Sequence, residues 1–322
     1  MLVFVRAFCM AFIGLLSLTT LHAQTWPNKP IRMLVAFPPG GPTDLVSRVI
    51  AQRLSEQLGQ QVLIDNKPGA GGNIAAEMAA SAPADGYTLF YNTSAIVIGP
   101  ALYSKVNYDT LKDFAPVVLT AAVPMVLVVN PSMPARTVKE FVDHARSRPG
   151  QLNYSSSGAG TITHLASAMM SSQLGLQTQH VPYKGSAPGL VDLASGQTQF
   201  MIDTINTALP YVRDGRLRGL AVSSLKRSSI LPDLPTLNES GLPGFDAAAW
   251  QGVVAPAGTP VEIINRLNAE LNKALANPDV KAKLALQGAD VLGGTPAEYA
   301  AYIRSEMPRW SKAVKESGAR AD

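Results

Sequence analysis

Strand-like runs alternate with helical patterns along nearly the whole chain, and this alternation constrains the fold more than any other feature. The apolar run Ile31 to Phe37 precedes an amphipathic stretch from Leu45 to Leu58, and VLID at 62–65 precedes a small-residue helix from Ile74. Strands that alternate with helices are typical of βαβ units around a parallel sheet. The pattern therefore predicts an α/β fold.

The apolar spacing also predicts which helix faces are buried. In the first helix, one face is predicted to hold Leu45, Val46, Val49, Ile50, Leu54 and Leu58. Thr43 or Asp44 is placed to cap the start of this helix, and Gly59 is placed to end it. A later helix is predicted to bury a stripe of residues four apart, namely Ile263, Leu267, Leu271 and Leu275.

The βαβ units fall into two groups, which predicts two α/β lobes. The strands APVVLTA and PMVLVVN form a pair near 117–130 that joins the groups, and the turn-rich segment 231–244 leads back. The first lobe is expected to use both ends of the chain, residues 24–124 plus 245–322, and the second lobe residues 125–244. Trp250 lies at the return crossing, where it either packs in the core or lines a cleft.

Three glycine-rich segments each follow a strand and precede a helix: FPPGGPTD at 37–44, PGAGGN at 68–73 and SSSGAGTITH at 155–164. A helix start offers unpaired N–H groups and a partial positive charge, so such a loop can surround an anion with backbone donors. In doubly wound sheets these loops lie at the carboxyl ends of the strands, where ligand crevices form. The segments predict an anion site, and the alternative is that the glycines only make tight turns.

The absence of basic residues and of nucleotide-binding motifs limits the kinds of anion that these loops can bind. None of them contains Arg or Lys, which favours a small carboxylate held by backbone and hydroxyl groups. No GxxxxGK[ST] string occurs, and Ile74 stands where a dinucleotide fingerprint needs its last glycine. The formal charge of +4 arises from 27 basic and 23 acidic residues without a basic stripe, which argues against a nucleic-acid partner.

Enzymatic and metal chemistry are weakly supported. Ser157, His164 and Asp203 include the residue types of a hydrolase triad, but Ser157 lacks the GxSxG elbow, and Pro188 interrupts the GSAPG string at 185–189. The histidines show no i, i+4 ligand pair, and the one cysteine, Cys9, excludes a disulfide within the chain and a multi-thiolate metal site. We expect no catalysis, no metal and no cofactor.

Three residues at the glycine loops have two interpretations each. Asp44 either caps its own helix or receives a ligand ammonium group or water. His164 either packs locally in the first turn of a helix or donates to the ligand. Phe37 either covers the ligand or packs in the core.

The first 23 residues have the pattern of a secretory signal. Arg6 precedes an apolar stretch from Ala7 to Leu18, and Ala23 is a small residue at the expected cleavage point. A retained membrane anchor is the alternative, but polar residues interrupt the apolar run before it reaches about 20 residues. We expect cleavage near Ala23.

Several long segments together resemble one family. They are WPNKPIRMLVAFPPGGPTDLVSRVIAQRLSEQLGQQVLIDNKPGAGGNIAAE, ADGYTL, YSSSGAGTITHLA, HVPYKGSAPGLVDLASGQTQFMID and LPDLPTLNESGLPGFDAAAWQGVVAPAGTP. In order and length they resemble the Bug-type receptors, the periplasmic substrate-binding proteins of tripartite tricarboxylate transporters. The resemblance covers essentially the whole chain after the signal segment.

The resemblance implies a periplasmic binding protein-like (Venus flytrap) fold, with two α/β lobes around a ligand cleft joined by two crossover strands. It implies a periplasmic monomer that captures a small carboxylate: a dicarboxylate, an acidic amino acid or an aromatic acid. Its partners would be the membrane permease subunits of a tripartite tricarboxylate transporter, or alternatively a sensor kinase that receives the closed form.

The resemblance also implies a set of ligand-binding residues. In the first loop they are Phe37, Pro38, Gly40, Gly41, Thr43 and Asp44, and in the next loop Gly69, Ala70, Gly71, Gly72 and Asn73. Across the cleft they are Ser157, Gly158, Gly160, Thr161 and His164, with Asp203 after the strand TQFMI. Thr93 belongs to the variable segment YNTSAIV at 91–97, which is expected to face the distal end of the ligand. This chain has Thr161-Ile162-Thr163 where the family often has a proline, so the identity of the ligand stays open.

Overall fold

The computed structural model describes residues 26–321, so the predicted signal segment 1–23 lies outside the described residues. Within this range the chain forms a mixed ten-stranded sheet with helices packed on it. No helix in residues 26–321 has the length and apolar character needed to cross a membrane. The α/β class expected from the alternation is confirmed.

The strands are β1 (Ile31–Val35), β2 (Val62–Asn66), β3 (Thr88–Thr93), β4 (Phe114–Val129), β5 (Leu152–Ser156), β6 (Thr178–Pro182), β7 (Phe200–Thr204), β8 (Arg218–Val222), β9 (Ala248–Pro256) and β10 (Asp290–Val291). The helices are α1 (Pro42–Leu58), α2 (Asn73–Ala80), α3 (Ala95–Leu102), α4 (Val138–Arg146), α5 (Ile162–Gln173), α6 (Ser186–Ser195), α7 (Ile205–Arg213), α8 (Val261–Ala276), α9 (Pro278–Leu286) and α10 (Pro296–Ser317).

The sheet has a parallel group of strands at each end. The strand order is β2-β1-β3-β9-β4-β7-β5-β6, with β8 and β10 also paired to β4. At one end β1 pairs in parallel with β2 and β3, and at the other end β5 pairs in parallel with β6 and β7. The antiparallel strands β9 and β4 lie between them. The two groups of βαβ units expected from the sequence are therefore built on the two ends of one sheet.

Strand β4 is a single strand of 16 residues, and the prediction of two strands in this segment is wrong. The part Phe114–Pro124 pairs with β9, whereas the part Met125–Val129 pairs with β7 and β8. Pro124 lies where the partners change, a position at which a residue without an N–H donor disturbs the ladder least. The sequence break at Pro124 thus marks an exchange of partners rather than the end of a strand.

The predicted helix faces are largely confirmed. Helix α1 buries Val46, Ile50, Leu54 and Leu58, whereas the predicted Val49 is only half-buried. Helix α8 buries Leu267, Leu271 and Leu275 of the predicted stripe, but Ile264 takes the place of Ile263, which is half-buried. Leu45 is 39% exposed, so its assignment to the buried face is wrong. It precedes Val46 and is turned by about 100° from it around the helix, outside the row of residues spaced four apart. Gly59 ends α1 with a φ of +66°, as predicted.

Helix α10 bridges the two ends of the sheet by packing on α3, α5 and β4. It begins with a capping box in which Thr295 and Glu298 exchange hydrogen bonds. Farther along, the buried Glu306 accepts hydrogen bonds from the indole N–H groups of Trp250 (2.9 Å) and Trp310 (2.7 Å). Trp250 is fully buried, which favours the packing interpretation over the cleft interpretation.

Candidate functional site

One cavity of about 530 Å³ lies where the loops from the two ends of the sheet meet. Its walls are the loop after β1, the loop after β5, the starts of α5 and α6, helix α3, and residues of β7 and β9. From the predicted site, it is lined by Phe37, Pro38, Gly40, Gly41, Thr43, Gly71, Thr93, Ser157, Gly160, Thr161 and Asp203. The predicted residues outside this lining are Asp44, Gly69, Ala70, Gly72, Asn73, Gly158 and His164.

Asp44 holds the first loop from behind. Its Oδ2 accepts hydrogen bonds from the backbone N–H of Gly40 and from Nε of Arg48, both at 2.8 Å. Its Oδ1 accepts a hydrogen bond of 2.9 Å from Nδ2 of Asn66. Burial alone would raise the pKa of Asp44, but these hydrogen bonds outweigh it and lower the pKa below its ordinary value. The carboxylate is therefore an ionised support for the loop and the start of α1.

The middle loop contributes only Gly71 to the cavity. From Gly69 to Gly72 all four residues have positive φ values, which explains why three of them are glycine. The side chain of Asn73 turns into the protein, where its Oδ1 accepts a hydrogen bond of 2.9 Å from the hydroxyl of Tyr108. The loop shapes the cavity wall, and its other residues pack behind that wall.

The second loop is held by hydroxyls and one imidazole. The backbone N–H of Ser157 donates to Oγ1 of Thr163 (2.8 Å), and Oγ1 of Thr161 donates to the carbonyl of Gly158 (2.7 Å). The backbone N–H of Gly160 donates to Nδ1 of His164 at 2.9 Å. Nδ1 of His164 must be unprotonated to accept this bond, so a neutral ring carries its proton on Nε2.

The His164 ring stacks on His180, with ring centroids 3.6 Å apart and planes inclined by 4°. Tyr154 stacks on His180 at 5.0 Å, and Oγ of Ser156 lies 2.6 Å from Nε2 of His180. Burial, aided by the nearby His180, lowers the pKa of His164 to about 4, and burial lowers the pKa of His180 to about 4. Both rings are neutral at pH 7, and the position of His164 favours local packing over ligand contact.

Asp203 is the one charged residue among those described along the cavity wall. It is the last residue but one of β7 and is fully buried. Its Oδ1 accepts hydrogen bonds from Oγ of Ser186 (2.9 Å) and from the backbone N–H of Thr204 (2.8 Å). Its Oδ2 accepts a hydrogen bond of 2.9 Å from Oγ1 of Thr207. Burial raises the pKa of Asp203 to about 6, against the opposing effect of these hydrogen bonds. Asp203 therefore takes up a proton more readily than an exposed aspartate does.

The residues considered for a hydrolase triad have other partners. Oγ of Ser157 lies 2.9 Å from Oγ1 of Thr163, Nδ1 of His164 accepts from Gly160, and Asp203 is bonded to hydroxyls and a backbone N–H. Within residues 26–321, no group of three His, Cys, Asp or Glu side chains is arranged to hold a metal ion.

Several cavity residues were missed by the sequence interpretation. The missed residues include Gly185, Ser186 and Ala187 at the start of α6, Ile98, Leu102 and Tyr103 in or next to α3, and Gln251 on β9. The GSAPG string was the available signal, since it is a further glycine loop between a strand and a helix. Pro188 lies in the first turn of α6, where a proline is tolerated because its missing N–H has no partner within the helix. No comparable sequence signal marks α3 or Gln251.

The fold is that of a periplasmic binding protein of the Venus flytrap type. Its two parallel strand groups are joined through β4 and β9, and helices from both groups begin at the cavity. The chain belongs to the tripartite tricarboxylate transporter family receptors, whose family model matches residues 46–319. That family consists of solute-binding receptors.

Relatives and solved structures agree with this membership. The chain is 42% identical over 294 residues to a protein from the tcbD-tcbE intergenic region of Pseudomonas sp. strain P51, covering 91% of this chain and 88% of that protein. It is 37% identical over 318 residues to BugT of Bordetella pertussis, covering 97% and 98%. The structure of Rpa4515 of R. palustris with adipate is 40% identical, with a TM-score of 0.84 over 92% of this chain and 99% of that one. MatC of Rhodopseudomonas palustris with bound malate is 34% identical, with a TM-score of 0.80 over 90% and 100%.

Proposed function

We propose that this protein captures a small carboxylate in the cavity between its two lobes and delivers it to the membrane subunits of a tripartite tricarboxylate transporter. The observation that carries the proposal is a cavity into which helix starts from both ends of the sheet converge, in a chain of this receptor family. The structures of relatives with adipate and with malate support a carboxylate as the ligand.

The ligand carboxylate would be held between the first and second loops. Helices α1 and α5 begin there, and their first N–H groups lack partners within the helix and carry a partial positive charge. The hydroxyls of Thr43 and Ser157 line the same space and can donate further hydrogen bonds, whereas the hydroxyl of Thr161 already donates to the carbonyl of Gly158. Such donors can bind a carboxylate without help from an Arg or Lys side chain. The described residues that line the cavity include neither Arg nor Lys.

Closure of the lobes would follow from contacts that the carboxylate makes with both sides at once. A ligand shifts an open and closed equilibrium only by its difference in affinity for the two states. The lobe boundaries are proposed at 124/125 and 244/245, with 24–124 plus 245–322 as one lobe and 125–244 as the other. The exchange of β4 partners directly after Pro124 supports the first boundary. We further propose that the signal segment is removed near Ala23 before the protein acts in the periplasm.

The binding part of the proposal is tested with a panel of mono- and dicarboxylates that includes adipate and malate. We expect at least one acid to raise the melting temperature and to give a saturable heat of binding in calorimetry. The variant Thr43→Ala should weaken that binding by about tenfold or less, the loss of one hydrogen bond. Thr137→Ala serves as the control, because it removes the hydroxyl that caps α4 and Thr137 does not line the cavity. A panel without any effect on melting or heat would refute the proposal.

The delivery part is tested in a strain that lacks the gene for this protein. Uptake of the radiolabelled acid should fall and should be restored by the native gene. Unchanged uptake combined with a lost transcriptional response would refute delivery and favour presentation of the closed form to a sensor kinase.

A further inference from the structure

We propose that the ligand carries an apolar body, a hydrocarbon chain or ring, next to its carboxylate, and that Tyr103 contacts this body and selects against hydroxylated acids. This inference rests on the proposed function and specifies its substrate class. Two observations carry it: apolar side chains leave free surface on the cavity wall, and several hydroxyls of the same wall already donate to the protein.

Apolar side chains with free surface surround the cavity. Phe37 lies in the first loop and Tyr103 directly follows α3, and both are half-buried residues of the lining. Three smaller half-buried residues also line it: Ala95 on α3, Ile162 at the start of α5 and Ala249 on β9. A ligand in the cavity therefore meets apolar surface from both ends of the sheet and from the strand between them.

The two aromatic rings are held in place by the protein. Phe37 and Tyr103 both pack against the hydrophobic core and keep part of their surface free. A Cβ built on Gly71 would lie 3.1 Å from the hydroxyl oxygen of Tyr103, which places this ring between the end of α3 and the middle loop. Fixed rings offer a ready apolar surface, and removal of apolar ligand surface from water onto them is favourable in proportion to the area covered.

Several hydroxyls on the wall are committed to the protein. Oγ of Ser186 and Oγ1 of Thr207 both donate to the carboxylate of Asp203, and Oγ1 of Thr161 donates to the carbonyl of Gly158. A ligand hydroxyl that leaves water without finding a partner is costly to bury. A ligand body with several hydroxyls would therefore exchange its hydrogen bonds to water for fewer bonds to the protein, whereas a hydrocarbon body loses none.

The test compares three pairs of acids that share a carbon skeleton and differ in the hydroxyl groups on it. The pairs are adipate and galactarate, cyclohexanecarboxylate and quinate, and benzoate and 3,4,5-trihydroxybenzoate. The two members of each pair have the same number of carboxylates, so the comparison isolates the body of the ligand. In every pair that binds, we expect calorimetry at pH 7.5 to show the apolar member about tenfold tighter or more.

Variants assign the preference to Tyr103. Tyr103→Ser removes the ring and should weaken binding of the apolar acid by about tenfold, with little change for its hydroxylated partner. Tyr103→Phe keeps the ring and should retain the native affinity for the apolar acid. Tyr211→Ser is the matched control, because it removes a half-buried ring on α7 that does not line the cavity, and it should preserve both affinities.

The heat capacity change of binding gives a second readout. Burial of apolar surface makes this change negative. Titrations of the apolar acid at several temperatures should therefore give a less negative value for Tyr103→Ser than for the native protein and Tyr103→Phe. A tyrosine that only supports the fold would lower the affinities of both members of a pair alike and leave the heat capacity change as it is. If Tyr103→Ser does not fold, the ranking of the acids by the native protein decides.

The outcomes separate this inference from the function on which it rests. A hydroxylated acid that binds as tightly as its apolar partner, or tighter, overturns the inference and leaves carboxylate capture standing. A preference for the apolar acid that persists undiminished in Tyr103→Ser overturns the role of Tyr103. Absence of binding by all six acids overturns the inference, and only absence of binding across the whole carboxylate panel overturns the proposed function.

Discussion

Replacing Gly160 by alanine should disrupt one contact between the two lobes. A Cβ built on Gly160 would lie 1.8 Å from Cδ2 of Leu102, 2.8 Å from its Cγ and 2.9 Å from its Cδ1. Gly160 belongs to the loop before α5 and Leu102 ends α3, so this contact joins elements from opposite ends of the sheet. Leu102 is nearly buried, and its side chain must therefore move as a whole to admit the new methyl group.

The magnitude has two parts. Gly160 has a φ of +71°, and an alanine in the left-handed region costs about 1–2 kcal/mol wherever it occurs. Overpacking against Leu102 adds about 1–3 kcal/mol. The first part weakens the fold in the open and the closed state alike, whereas the second part acts only where the two elements meet. We therefore expect a loss of carboxylate affinity of about 5- to 150-fold, in addition to a lower melting temperature.

Gly150→Ala is the matched control. Gly150 has a φ of +74° and nothing within 4 Å of the position that a Cβ would occupy. It should show the strain cost in urea unfolding without a change in affinity measured by calorimetry. In the double variant Gly160→Ala, Leu102→Ala, the truncated side chain leaves room for the methyl group, so the two effects should be less than additive. Equal affinities of Gly160→Ala and Gly150→Ala, or strict additivity in the double variant, would refute the reasoning.

Three further predictions concern groups behind the cavity wall. Asp44→Ala should destabilise the fold by roughly 2–3 kcal/mol in urea unfolding and weaken carboxylate binding, since the N–H of Gly40 loses a charged acceptor; unchanged binding would contradict this. Because the pKa of His164 and that of His180 fall from 6.5 to about 4 on folding, the unfolded chain binds protons first, and stability should decline as the pH drops from 6.5 to 4. After allowance for solvent screening, the free energy of unfolding should decline by about 2–4 kcal/mol over this pH range. Thermal melting of His180→Phe should show a smaller decline, and a decline equal to that of the native protein would contradict the assignment to these two rings. Glu306→Leu leaves two buried indole N–H groups unpaired and should cost about 3–5 kcal/mol in urea unfolding, whereas a cost below 1 kcal/mol would contradict the pairing.

The fold was accessible from the sequence because its determinants are local and periodic. The apolar spacing of α1 and α8, and the glycine that ends α1, depend on residues within one element, and the structure confirms them. Strand β4 was misjudged because its continuity through Pro124 depends on partners far along the chain, β9 on one side and β7 and β8 on the other. The local pattern shows a break at Pro124, but it does not distinguish an exchange of partners from the end of a strand.

The candidate site was accessible only in part for the same reason. Loops between a strand and a helix carry a local signature, and the first and second loops, which the sequence predicts to bind the ligand, both line the cavity. Gln251 lies in the middle of an apolar strand, and it reaches the cavity only because β9 runs between β3 and β4. Its neighbours along the chain give no indication of this position.

The first and second loops share one construction. In each, a glycine N–H donates to the side chain four residues later, from Gly40 to Asp44 and from Gly160 to His164. Both acceptors lie in the first turn of the following helix and outside the cavity lining. The glycine N–H groups are thereby committed to the protein, and the donors left for a ligand are the hydroxyls and the first N–H groups of α1 and α5. Asp44 and His164 are therefore best understood as positioning residues, one acting through a charged acceptor and the other through a neutral one.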